Sequence, residues 1–199
     1  MARTEMEKPS YIGLLNAISL AESNAGVYLR AWADATPDED LAKTLRFVAA
    51  RETSHGEVFC RRLAELGYEL RHKPDPQAGE RLAKVANPKI SDLEKIGDER
   101  EDGGRDPFAE IKKAMDDGVY DEMTCNMLQW YIAEEYDSGK RLREAYKAVR
   151  GRNGKRKSNG ANGHDADVPS ADAEAIMACM TAGFARLEKS LEKLVKASK

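Results

Sequence analysis

Apolar residues return every third or fourth position along two long stretches separated by only a few residues, and this periodicity constrains the fold more than any other feature. From Tyr11 to Trp32 the stripe is Leu15, Ile18, Ala25, Leu29 and Trp32. From Glu39 to Leu66 it is Leu41, Leu45, Val48, Phe59, Leu63 and Leu66. Strands would show alternation instead, and over much shorter runs. In the junction Ala35-Thr36-Pro37-Asp38, Pro37 pushes its predecessor out of the helical region and suits the first turn of a new helix, while Gly67 is placed to cap the second. The pattern predicts two antiparallel helices joined by a tight turn, half of a helical bundle. Composition agrees with an all-α chain: of 199 residues 34% are charged and only 7% aromatic, against what a sandwich or barrel needs.

Beyond the hairpin, His72 to Arg105 is rich in Pro, Gly and charge and reads as a long crossover, with room for a short helix from Ser91 to Glu101. Asp106-Pro107 opens a modest helix to about Asp117. A stronger pattern follows from Val119 to Val149, its stripe on Leu128, Tyr131, Ile132, Leu142, Ala145 and Val149. Residues 151–170, Gly-rich and without a large apolar side chain, predict a flexible linker. Residues 171–199 carry Ile176, Met180, Phe184, Leu187, Leu191 and Leu194 on a basic helix that must dock to be stable. The expected organisation is a helical bundle over 1–150, a linker over 151–170 and a C-terminal amphipathic helix over 171–199. Self-association is the expected use of that helix, so a homo-oligomer is expected.

The 32 basic and 35 acidic residues leave a net charge of −3, which supplies no phosphate-tracking surface and argues against nucleic acid as a partner. No apolar run approaches the roughly 20 residues of a membrane span, and MARTEMEKPS lacks the apolar centre of a signal peptide. A soluble, cytoplasmic chain with no membrane partner is expected. Cys60, Cys125 and Cys179 lie far apart, with no C-x-x-C pair to make a disulfide framework or a zinc site.

The informative residues are those that interrupt the stripes. Glu22 lies inside the first, and Glu52 and His55 inside the second. A lone carboxylate in an apolar interior costs several kcal/mol unless it is paired or binds a metal. Glu-x-x-His puts both side chains on one helix face, and Glu22 and Glu52 stand at nearly equal distances on either side of the turn, so an antiparallel hairpin brings all three to one level. Mixed oxygen and nitrogen donors suit a hard divalent ion, iron or manganese. In the last helix Glu135 falls inside the stripe, with Glu134 and Asp137 at its margin.

These features resemble the ferritin-like superfamily, which includes ferritins, bacterioferritins, rubrerythrins and encapsulated ferritins. The likeness rests on Glu22 with Tyr28 six residues on, on Arg51-Glu52-Thr53-Ser54-His55, and on Asn126-Met127-Leu128-Gln129-Trp130-Tyr131-Ile132-Ala133-Glu134, similar to the fourth helix of bacterial ferritins. It covers about residues 10 to 150 and implies a ferritin-like four-helix bundle with a long crossover. It also implies a di-iron carboxylate site, two Fe per site if complete or with Mn possible, that oxidises Fe(II) with dioxygen or hydrogen peroxide in iron handling or oxidative-stress defence.

On that resemblance Glu22 is a terminal ligand, Glu52 the bridging carboxylate and His55 the nitrogen ligand. Glu135 is the leading ligand of the second half, with Glu134 and Asp137 as further candidates. Tyr28 is either a hydrogen-bonding or radical-quenching group beside the metals or a core aromatic. The Glu-x-x-His repeat expected on the last helix is absent, because Ser138 stands in the place of its histidine. Among Glu99, Glu101, Glu110 and Glu122 no phase selects a further acid. The competing reading is a non-catalytic ferritin-like scaffold with a degenerate metal site that recruits a partner through its C-terminal helix.

Overall fold

The computed structural model describes residues 8–97 and 106–158, with side chains to Arg152. The described residues are all helical, with no strand: α1 (Ile12–Ala35), α2 (Glu39–Glu65), α3 (Ala78–Ala86), α4 (Asp92–Ile96), α5 (Ala109–Asp116) and α6 (Glu122–Ser158). The amphipathic segment 171–199, together with Glu99 and Glu101, lies outside the described residues. None of the described helices is long and apolar enough to cross a membrane.

The first turn forms as the junction dictates. Thr36 is extended at φ −77°, ψ 136°, as a residue before proline should be, and the Asp38 side chain accepts from the Leu41 amide to cap α2. Gly67 ends that helix at φ 83°, in the left-handed region that favours glycine. Ser19 meets Gly56, and Arg46 reaches back to the Ala33 carbonyl, so α1 and α2 run antiparallel. They approach closely because glycine stands at the crossings: a Cβ on Gly26 would lie 2.5 Å from Thr53 Oγ1, and one on Gly56 would lie 3.0 Å from the Ser23 amide nitrogen.

Helix α6 runs parallel to α1 and antiparallel to α2. Tyr11 bonds Asp121 and Tyr131 bonds Glu22 along the first pair; Arg62 bonds Asp121 and His55 meets Glu134 along the second. Asp121 also caps α6 by accepting from the Thr124 amide. The helix continues to Ser158, into the segment read from its composition as linker, so Gly151 does not stop it.

Between α2 and α6 the described residues form three short helices. α3 is unannounced by the Pro- and Gly-rich text around it, yet it buries Val85 against the hairpin. α4 is shorter than the segment marked out for it and is held by a capping box of Ser91 and Glu94. Asp92 at its start accepts from Trp32 Nε1 (2.8 Å) and Thr36 Oγ1 (2.6 Å), and Arg150 donates to the Gly97 carbonyl, which fastens the crossover to the hairpin tip and to α6.

The core comes in two parts. One gathers Leu15, Ile18, Phe59, Leu63, Leu128 and Tyr131 with Phe108 and Ile111 from the α5 region; the other gathers Leu29, Trp32, Leu45, Val48, Leu142 and Tyr146. Glu22, Glu52, His55 and Glu135 fall in the gap between them on all three long helices.

Candidate metal centre

Each side chain at this gap is brought in by helical phase. Glu22 continues the face of Ile18 and Leu29 on α1; Glu52 and His55, one turn apart, continue the face of Val48 and Phe59 on α2. Glu135 lies one turn after Tyr131 on α6. All four are buried, Glu52 and His55 completely. One ligating atom from each can be chosen so that all lie within 4.8 Å of one another.

Such a cluster without a cation is electrostatically poor. Both Glu52 carboxylate oxygens, Glu135 Oε1 and His55 Nδ1 are buried with no hydrogen-bond partner. His55 Nδ1 stands 3.3 Å from Glu135 Oε1 and 3.5 Å from Glu52 Oε2, near enough for attraction but not aligned for a hydrogen bond. Burial, the contact with Glu52 and the charges of Glu135 and Glu52 push the Glu22 carboxyl well above its ordinary range. Burial, with the charge of Glu135, pushes Glu52 up to about 8. Burial pulls the His55 imidazole down, but the adjacent Glu135 and Glu134 outweigh it and raise it overall. Protons must stay where a metal ion would otherwise neutralise the charge.

The surroundings orient the donors. His55 Nε2 lies 2.9 Å from Glu134 Oε2 and Nδ1 faces Glu135 and Glu52, so with Nδ1 given to a metal ion the Nε2–H would donate outward to Glu134. Tyr131 donates to Glu22 Oε1 at 2.6 Å. Its phenol is held well above its ordinary range by burial and by the charges of Glu22 and Glu135, so it stays a donor. The His55 ring is further fixed edge-on between Trp130 (4.9 Å between centroids) and Tyr131 (5.1 Å). Glu134, 29% exposed, links the buried imidazole to solvent.

Three residues read from the sequence as site candidates lie outside the cluster. Tyr28 packs in the second core part and its hydroxyl points to the Ala78 carbonyl of α3 at 3.5 Å, because six residues turn it about 120° around α1 from Glu22. Glu134 stands on the outer side of the imidazole. Asp137 is taken by Arg51 (2.6 Å) and Arg141 (2.7 Å) on the outside of the helix pair. Ser138, in the place of the expected second histidine, is fully buried and lies 3.4 Å from Arg51 NH1. Glu110 and Glu122 face solvent.

The periodicity counts Tyr131 among the apolar core. Its position four residues before Glu135 is the signal that its hydroxyl shares a face with the acid. Comparison with known proteins returns no match to a family model, a curated protein or a solved structure.

Proposed function

We propose that the chain is a ferritin-like protein that binds iron, or manganese in its stead, among Glu22, Glu52, His55 and Glu135 and oxidises Fe(II) with dioxygen or hydrogen peroxide. The observation that carries this reading is the buried set of three carboxylates and one imidazole, in which both Glu52 oxygens, Glu135 Oε1 and His55 Nδ1 have no hydrogen-bond partner. The donor set fits: oxygen with a single nitrogen suits a hard divalent cation, and three carboxylates balance its charge. Helices α1, α2 and α6 correspond in this reading to bundle helices, with the short helices of the crossover beside them.

Bound iron would supply the redox chemistry, and the residues supply the rest. Glu22, Glu52 and Glu135 favour the higher charge of Fe(III) over Fe(II) because anions gathered in a low-dielectric interior stabilise added positive charge strongly. Tyr131 keeps Glu22 oriented, and Glu134, between His55 and water, is placed to exchange protons. Peroxide takes two electrons and two protons to become two waters, so two Fe(II) are oxidised for each peroxide. The scaffold alternative draws on Ser138, buried where a second histidine would be needed.

Anaerobic titration with Fe(II) followed by peroxide or air tests both readings. The expected result is tight Fe(II) binding and oxidation faster than in buffer, lost in Glu52→Gln. Binding without oxidation, or no binding at all, removes the oxidase reading and supports the scaffold.

A further inference from the structure

The acids of α6 have three different fates, and Arg51 lies against two of them, Glu134 and Asp137. Its guanidinium lies at the start of the Arg51-Glu52 step on α2 and reaches across to α6, with NH1 2.6 Å from Asp137 Oδ2, 3.4 Å from Ser138 Oγ and 3.5 Å from the Glu134 carbonyl, and Nε 3.7 Å from Glu134 Oε1. Phe47 holds it there: the Arg51 and Arg141 guanidinia lie 4.6 and 4.7 Å from the centre of its ring, and both bond Asp137 Oδ2.

We infer that Arg51 makes the centre a one-ion site, by occupying with a fixed cation the ground beyond Glu135 and by withdrawing Glu134 and Asp137 from the ligand supply. The inference rests on the metal reading above. A second ion could share Glu52 and Glu135, but its remaining ligands would have to come from the Ser138 turn, where the guanidinium stands and repels it. The oxygen that Ser138 presents there already faces Arg51.

Equilibrium titration of the metal-free full chain with Mn(II), with unbound Mn(II) counted by its electron spin resonance signal, gives ions per chain directly. The expected values are one ion for the wild type and two for Arg51→Ala, with the second bound more weakly. Arg51→Gln, which keeps the side-chain length, is the check if the alanine variant folds poorly by circular dichroism, and it too should bind two. Two ions in the wild type overturn the one-ion inference and leave the metal reading standing. One ion in both Arg51 variants overturns the part given to Arg51. No ion in the wild type overturns the metal reading itself.

Discussion

At the scale of single residues, the buried acids oppose folding unless a proton or a metal neutralises them. In the metal-free chain Glu52 titrates near 8 against 4.5 for a free side chain, and Glu22 is also raised, so between those limits the folded form holds protons that the unfolded form releases. The stability this pair contributes is therefore complete below about pH 4.5 and is lost as pH rises towards 8. A melting series on the metal-free protein should show its midpoint falling across that window, and a midpoint that rises instead would contradict the burial of these acids. Glu52→Gln should flatten the fall, leave the metal-free protein as stable or more so at pH 8 by about 1–4 kcal/mol, and abolish the rise in melting temperature that Mn(II) gives the wild type. Tyr131→Phe removes one hydrogen bond to a ligand and should weaken Mn(II) binding by about 10–100-fold with helicity intact. Glu22, Glu52, His55 and Glu135 were legible as inward acids and imidazole because a charged residue in an apolar stripe breaks a pattern. Tyr131 was not, because an aromatic ring in the same stripe continues it.

At the scale of helices, the centre depends on how closely α1 and α2 approach, and that depends on Gly26 and Gly56. Gly56 follows His55 directly, and a methyl group there would press on Ser23 and on the Ser19 carbonyl, 3.1 Å away. Gly56→Ala should cost about 1–3 kcal/mol by denaturant unfolding. Because the displaced segment carries His55, it should also weaken Mn(II) binding; a stability loss with unchanged affinity would mean that the helices yield elsewhere. The start of α6 is fixed by Asp121, which caps the helix and also holds Tyr11 and Arg62. Asp121→Ala should therefore cost at least the usual capping loss of about 1–2 kcal/mol. Helices α1, α2 and the start of α6 were readable because long amphipathic periods and capping residues are local signals. α3 was not: its nine residues carry Gly79, and it exists because Val85 finds an apolar seat on the hairpin.

At the scale of the whole molecule, the described contacts of the cluster all come from α1, α2 and α6, so a chain ended after Ser158 should bind Mn(II) as the full chain does. If residues 171–199 serve assembly, as their narrow apolar stripe predicts, the same truncation should lower the solution mass measured by light scattering; an unchanged mass would assign that segment another use. The sequence by itself determined the helical class, the hairpin and the level at which Glu22, Glu52 and His55 meet, because helical phase and the distance from a tight turn are set along the chain. Helical phase also singled out Glu135 on α6; only the tertiary structure decided what its neighbours Glu134 and Asp137 do. Glu134, Glu135 and Asp137 are separated by no more than three positions, and their roles depend on what stands opposite: the three inward donors for Glu135, the outer edge of His55 for Glu134, and two guanidinia for Asp137. Such pairings across helices are matters of distance between residues remote in the chain, and no local periodicity records them.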